Sequence, residues 1–596
     1  MMQFLETALN NEQLKIALSL DKNTLVIAGP GSGKTRLLVH RIAYQIFTTR
    51  NSDSKILCLT FTNEAAKELQ IRLSKLLPSD LRERLWIGNF HQFGHHLLRH
   101  YAHLLGVSRD SEIIDEDGVI DILEETLSEM KENVDHDKLS ILARNINRYR
   151  GKVNMPDPSE LVGISAEIGS IMAKYDAIKR KMKVFDFDDL IELPLNLIRR
   201  NPNLKKLLAD TFRYIFIDEL QDTSLLQLEL LKEIVDPEKC IIFGVADQDQ
   251  ILYEWRDARA ETIHEFIQSF KADVDFLILN HRSPQEIVDV INALIVNNSD
   301  RFDKELKSAL LNEKGYVFHH KAHRPEDEAE FVASNIMSEV NLNGRKFGDF
   351  AILFRMSWSM KEIKRALTDM SIPFCVIGDK NLQSSSLSKI IKSSISIISG
   401  QPYSKAKFIK SLRNFFQEKD IKFNNIDGII EAIESLKNIQ VSDIFANLLK
   451  ITGIDTLGTK SSFQNDLTII RKIIGLAIGE GVSSARDLST LLSMEWSRLQ
   501  DKILKSEEAV KIMTIHQSKG LEFPVVYIMR LEDGILPHKV NGKIENLEEE
   551  RRILFVALSR AKSKIVMSHS EFDQYGRNTH PSRFFNDMKA VNIEEI

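Results

Sequence analysis

Two kinds of apolar pattern alternate along this chain. Leu25-Val26-Ile27, Tyr214-Ile215-Phe216-Ile217 and Ala351-Ile352-Leu353-Phe354 are short continuous apolar runs, the pattern of strands buried on both faces of an open sheet. Between Ser111 and Lys183 the period changes. Val119, Ile120, Ile122, Leu123, Leu127 and Met130 recur at helical spacing, and Pro156-Asp157-Pro158 marks a break. Leu387, Ile390, Ile391, Ser394, Ile395 and Ile398 keep the same helical spacing much later. The pattern predicts an α/β chain with two helical insertions. A first α/β core covers 1–92 and 190–275 and is interrupted by a helical segment at 93–189. A second covers 276–385 and 509–596 and is interrupted at 386–508.

Composition adds limits. At ~150 residues per domain, 596 residues make about four pieces. Hydrophobic residues at 43% and charged residues at 28% describe an ordinary soluble globular chain. No apolar stretch reaches the ~18 residues of a membrane span, so no membrane partner is expected. The start, Met1 to Glu6, lacks the basic and apolar regions of a signal peptide. Cys58, Cys240 and Cys375 are widely spaced in apolar runs, read as reduced core residues of a cytoplasmic protein. A net charge of −6 argues against a wholly basic nucleic-acid coat but allows a local basic groove. His95-His96 lacks the carboxylate or thiol spacing of a metal site.

The candidate chemistry begins directly after the first apolar run. Ala28-Gly29-Pro30-Gly31-Ser32-Gly33-Lys34-Thr35-Arg36 reads as strand, small-residue turn, helix. Backbone N–H groups of such a turn close on a triphosphate, Lys34 reaches the β/γ-phosphates, and the Thr35 hydroxyl ligates Mg²⁺. Ala28 stands in the first glycine position of that pattern, a small-for-small change. Asp218-Glu219 ends the second apolar run, where ligand groups collect in open α/β sheets. Asp218 suits the Mg²⁺ shell and Glu219 the attacking water, which implies nucleotide hydrolysis rather than storage. Asp188 and Asp189 read better as helix caps or ion-pair partners than as catalysts.

The ordered blocks resemble the UvrD/Rep/PcrA type of superfamily 1 helicase over most of the chain. Leu9 to Gln13 is similar to the Q motif, Ile56 to Ala66 to motif Ia, Gly88 to Phe93 to motif Ib, and Asp186 to Leu190 to the DFDDL block. Asp218-Glu219-Leu220-Gln221-Asp222-Thr223 resembles motif II, Ala246 to Arg256 motif III, Leu279 to Ser283 motif IV, Ile512 to Pro524 motif V, and Glu549 to Ala561 motif VI. The resemblance implies two RecA-like P-loop domains, each with a mainly helical insertion. It assigns Gln13 to the adenine edge, and Arg36, His281, Gly520 and Glu522 to the nucleotide. It places Gln250, Arg282 and Arg560 at the γ-phosphate, with Phe61, Asn63, His91, Tyr253, Trp255, Arg256 and His516 facing DNA. The cofactors implied are ATP and Mg²⁺; the partners are single-stranded DNA and duplex with a single-stranded tail.

Arg282 and Arg560 lie far from Lys34 in sequence, so they are expected in a different domain, and ATP is expected to clamp two domains together. Trp255, five residues after Gln250, would couple that clamp to a stacked base. The chain departs from the family at several positions. His281 replaces a tyrosine, Glu64 a lysine, Gln70 an arginine, Asn89 a threonine and Ile251 a serine, and Ile377 to Leu382 lacks the usual aromatics. The second insertion is shorter than in well-known members. The expected activity is ATP-dependent 3′–5′ translocation on single-stranded DNA with duplex unwinding. The alternative reading is a nucleotide-gated subunit controlling a nuclease in a defence or repair complex.

Overall fold

The computed structural model describes residues 2–50, 52–108, 111–130, 139, 142, 166–252, 260–378, 381–400, 403–418, 426–454, 461–506, 508–540 and 542–596. Pro156-Asp157-Pro158 and the Tyr253, Trp255 and Arg256 segment lie outside them. The chain divides into two compact units. One comprises Met1–Phe90, Pro202–Ile377 and Lys505–Ile596; the other comprises His91–Asn201 and Gly378–Leu504.

The first unit is built on two parallel sheets. Strands β1 (Thr24–Ala28), β2 (Lys55–Thr60), β3 (Leu85–Asn89), β4 (Phe212–Ile217), β5 (Ile241–Ala246) and β6 (Asp273–Leu277) form the first, in the order β3-β2-β4-β5-β1-β6. Their pairings are parallel throughout. β1 is buried at every position because both faces are covered, which is why its sequence is an unbroken apolar run rather than an alternation. The second sheet contains β7 (Tyr316–Ala322), β8 (Phe350–Phe354), β9 (Phe374–Val376), β10 (Val510–Thr514), β11 (Phe523–Ile528), β12 (Ala561–Ser570) and β13 (Glu594–Glu595). Its order is β9-β10-β8-β11-β12-β7-β13, again parallel. The strand pair β8 and β10 joins Phe354 to Thr514, so a segment before residue 378 and one after 504 share one sheet. Cys58 and Cys240 are buried, and Cys375 is half-buried in β9.

Among its described residues, the second unit is helical apart from one parallel pair, Glu112–Ile113 with Val184–Phe185. Leu387, Ile390, Ile391, Ile395 and Ile398 line one core with Trp496, as the helical spacing predicts. Val119, Ile120, Ile122, Leu123, Leu127 and Met130 pack into a second core around Tyr175. The two inserted segments meet here through charge: Asp115 accepts from Lys392 at 2.9 Å and Lys407 at 2.8 Å, and Lys410 reaches Asp121 at 2.8 Å. Asp189 forms a buried ion pair with Lys179 at 2.6 Å and accepts from the Asp186 backbone. Among the described residues, no helix is long and apolar enough to cross a membrane.

Candidate nucleotide and nucleic-acid site

The carboxyl ends of the first sheet carry the chemistry, as expected where strand order reverses in an open parallel sheet. After β1, Gly31 and Gly33 take positive φ (69° and 80°), and Gly33 leads into the helix Lys34–Thr48 with no side chain capping its N–H groups. Those donors, with the helix dipole, make an anion cradle. The turn is braced on all sides. Ser32 Oγ donates to Gly29 O at 2.7 Å, and Gln13 Nε2 donates to Ser32 O at 2.9 Å. Gln13 Oε1 accepts from the Asn10 backbone, so its buried amide supports the turn from below. Asn280, which follows β6, donates to Pro30 O at 3.0 Å, and the His281 backbone donates to Gly31 O at 2.9 Å. A Cβ on Gly31 would lie 2.8 Å from both Arg282 Cβ and Asn280 Oδ1. The His281 ring faces Asn10 Nδ2 at 3.4 Å; partial burial and Arg36 hold its pKa below the ordinary value.

Asp218 follows β4 and is buried beside Glu219. Burial and the Glu219 charge raise its carboxyl to about 7, with Lys34 opposing. Burial acts on Glu219 too, but Lys34 and Lys519 outweigh it and its pKa falls below the usual value. Glu219 sits at φ 52°, a left-handed conformation uncommon for a non-glycine residue. Gln221 fixes it there: its Nε2 donates to Glu219 Oε2, while its Oε1 accepts from the Asp247 backbone at 2.9 Å. Asp247, after β5, accepts from Gln250 Nε2 at 2.6 Å and Lys304 Nζ at 2.5 Å, with Lys34 Nζ at 3.8 Å. Lys304 and Lys34 hold the Asp247 pKa down against its burial.

The second sheet meets this edge. Lys519 Nζ donates to Asp222 Oδ1 at 2.7 Å and to Gln250 O at 3.0 Å. Arg560 Nη2 donates to Gln250 Oε1 at 3.1 Å, and burial together with the Arg282 charge lowers its pKa to about 9. Arg282 donates to Glu522 at 2.9 Å and Ser559 O at 2.7 Å. Arg282 lies between the short strand Leu279–Asn280 and the helix Gln285–Ile295, and its side chain is held by Glu522 and Ser559. Gly520 has φ 80°, and Glu522 also pairs with Lys562 at 2.7 Å.

Residues facing nucleic acid by resemblance are distributed differently. Phe61 and Asn63 follow β2, and Asn63 Oδ1 accepts from Asn89 Nδ2 at 2.6 Å, so the asparagine that replaces threonine orients its neighbour. His516 follows β10; burial, then Arg355 and Lys519, lowers its pKa to about 4. His91 begins the helical unit, edge-on to Phe187. Glu64 pairs with Lys505 at 3.3 Å. Sequence reasoning gave no role to Asp247, Asn280, Asp222 or Lys519, although each lies within a quoted motif, and it did not single out Lys304. Asp247 carried a usable signal, since it ends an apolar run as Asp218 does. Lys304 had none, being a lysine in a polar stretch.

A phosphate-binding turn on one parallel sheet, met by an arginine and a lysine from a second, defines a two-sheet P-loop ATPase. Residues 9–271 match the model of the UvrD/REP helicase N-terminal domain, and 276–391 and 381–571 match that of the UvrD-like helicase C-terminal domain. The chain therefore belongs to the UvrD/Rep helicase family, its two sheets are the RecA-like domains, and it is a DNA-dependent ATPase of the helicase class. It is similar to the ATP-dependent DNA helicase PcrA of Staphylococcus aureus (strain Mu50 / ATCC 700699), at 28% identity over 651 aligned positions covering 98% of this chain and 87% of that one. The PcrA helicase of Leuconostoc citreum is 26% identical over 99% of this chain and 86% of its own, and that of Staphylococcus epidermidis 28% over 97% and 86%.

Proposed function

We propose that this chain translocates 3′ to 5′ on single-stranded DNA and unwinds tailed duplexes, driven by ATP hydrolysed between its two sheets, in the cytoplasm. The observation that carries this reading is Gln250. It accepts from Arg560 of the second sheet, while its Nε2 donates to Asp247 beside Lys34 on the first. One side chain thus links the second sheet to the Asp247 carboxylate that faces Lys34. In this reading Glu219 accepts the proton of the attacking water, and Lys34, Arg282 and Arg560 offset charge on the γ-phosphate.

Mg²⁺ fits the residues present, because Asp218 and Glu219 are adjacent carboxylates after β4, and the Glu219 charge that opposes ionisation of Asp218 would be offset by a divalent cation. Thr35 and Asp218 would hold it, and it would neutralise charge on the β/γ-phosphates. Gln13, His281 and Arg36 flank the turn where a base would lie. Phe61, Asn63, His91 and His516, with Tyr253, Trp255 and Arg256, are assigned to the DNA strand. The alternative of a nuclease-controlling subunit gains no support from the matched families.

The test is ATP turnover by the purified chain with and without single-stranded DNA, beside strand displacement on duplexes carrying a 3′ or a 5′ tail. Stimulated turnover and displacement only of the 3′-tailed duplex are expected. Turnover indifferent to DNA would refute the reading.

A further inference from the structure

The second sheet exposes a tryptophan that none of the assignments above uses. Trp358 lies in the short turn Ser357–Met360 after β8, with 55% of its surface in solvent, whereas Trp496 in the helical unit is 1% exposed. Local packing forces this. Met360 sits in the core of the second sheet and Ser359 is buried beside it, at 2% and 3% exposure, so the tight turn leaves Ser357 and Trp358 outside. A large aromatic left in water gives up the burial that most tryptophans find.

β8 and β10 are hydrogen-bonded neighbours, with Phe354 opposite Thr514. The turn bearing Trp358 and the turn Ile515–Ser518 bearing His516 therefore leave adjacent strands at the same sheet edge. Arg355 begins the Trp358 turn, and Glu550 fixes its guanidinium through Nε at 3.1 Å and Nη2 at 2.7 Å. The helix Lys361–Asp369 that follows carries Lys361, Lys364 and Arg365 together with Glu362 and Asp369, and Arg365 pairs with Asp369 at 3.6 Å. An exposed aromatic ring at such an edge can stack a base while tolerating any sequence.

We propose that Trp358 is a base-stacking platform for single-stranded nucleic acid on the second sheet, beside His516. The inference rests on the DNA-translocase reading and extends it, giving the second sheet its own hold on a base. Such a hold lets one sheet grip while the other moves.

The test is binding of a fluorescent dT oligonucleotide to the full chain, across a salt series, for wild type, Trp358→Ala and Trp358→Phe. Trp358→Ala is expected to weaken binding about 5- to 150-fold, the equivalent of one lost stack of ~1–3 kcal/mol. Its melting temperature and salt slope should match wild type, because no phosphate contact is removed. Trp358→Phe should keep most of the affinity. If wild type binds and Trp358→Ala binds equally well, the platform is overturned while the translocase reading stands. If Trp358→Ala flattens the salt slope, or Trp358→Phe loses as much as alanine does, stacking is likewise overturned. If wild type itself fails to bind, both readings fall.

Discussion

Lys519 Nζ donates to Asp222 Oδ1 at 2.7 Å, joining a residue after β10 of the second sheet to one after β4 of the first. The lysine also donates to Gln250 O, so one ammonium ties together segments carrying His516, Asp222 and the Arg560 contact. Burial raises the Asp222 carboxyl to about 6 even with Lys519 opposing it. Removing the lysine leaves a buried acid uncompensated, a change that costs up to ~3–5 kcal/mol when the group stays ionised. Protonation relieves the cost, so Lys519→Met should be less destabilising at pH 6 than at pH 8. Asp222→Asn on that background should recover most of the loss at pH 8. Urea unfolding at the two pH values checks both statements.

Glu219 is held in a left-handed conformation by Gln221, beside an Asp218 carboxyl that burial and the Glu219 charge raise to about 7. Glu219→Gln preserves shape and removes the base. ATP turnover should fall by at least ~10² while nucleotide binding persists. Single-turnover hydrolysis and equilibrium ATP binding measured on one preparation decide it, and near-wild-type turnover would remove Glu219 from the mechanism.

Arg560→Ala and Arg282→Ala should act mainly on kcat. An arginine on transferring phosphoryl oxygens contributes roughly 10³–10⁵ in rate, whereas its ground-state contribution is smaller. Arg282 carries a second duty through Glu522 and Ser559 O, so its variant should also loosen the packing of those two segments. Comparing kcat with the affinity for a non-hydrolysable analogue separates the two duties.

Asp218 predicts a pH dependence. Its folded pKa, raised to about 7 by burial and Glu219, lies above the unfolded value of ~3.9. The stability it contributes is therefore complete below pH ~4 and is lost as pH rises through 7. A divalent cation binds the ionised form, so stabilisation by Mg²⁺ with an ATP analogue should grow between pH 6 and 8. Asp218→Asn should flatten that growth. Melting temperatures across this range, with and without Mg²⁺, are the measurement.

Gly94 makes a prediction for the helical unit. A Cβ there would lie 1.6 Å from Leu190 O, a backbone atom that cannot swing aside. Gly94→Ala should cost at least the ~1–3 kcal/mol of an overpacked core, despite the better helix propensity of alanine. Unfolding monitored by circular dichroism would show it, and a stabilised variant would contradict the packing.

The phosphate turn, the acidic pair and the buried strands were legible in the sequence because each is a local event. An unbroken apolar run records burial on both faces, and small residues after it record a turn closing on an anion. The helical insertions were legible for the same reason: Ile390, Ile391, Ile395 and Ile398 can share a face only at helical spacing. Pairings were not. Nothing near Asp247 points to Lys304, nothing near Asp222 to Lys519, and nothing near Gly31 to Asn280, since each contact joins segments 57 to 297 positions apart or spans two strands of a sheet. A charged residue in sequence looks alike whether it faces water or a buried partner. Which carboxylates are buried together, and therefore which pKa values rise or fall, was decided only when the strand order brought their carboxyl ends to one edge. The exposure of Trp358 was settled the same way: an aromatic residue reads as core until Met360 takes the inward position and leaves it outside.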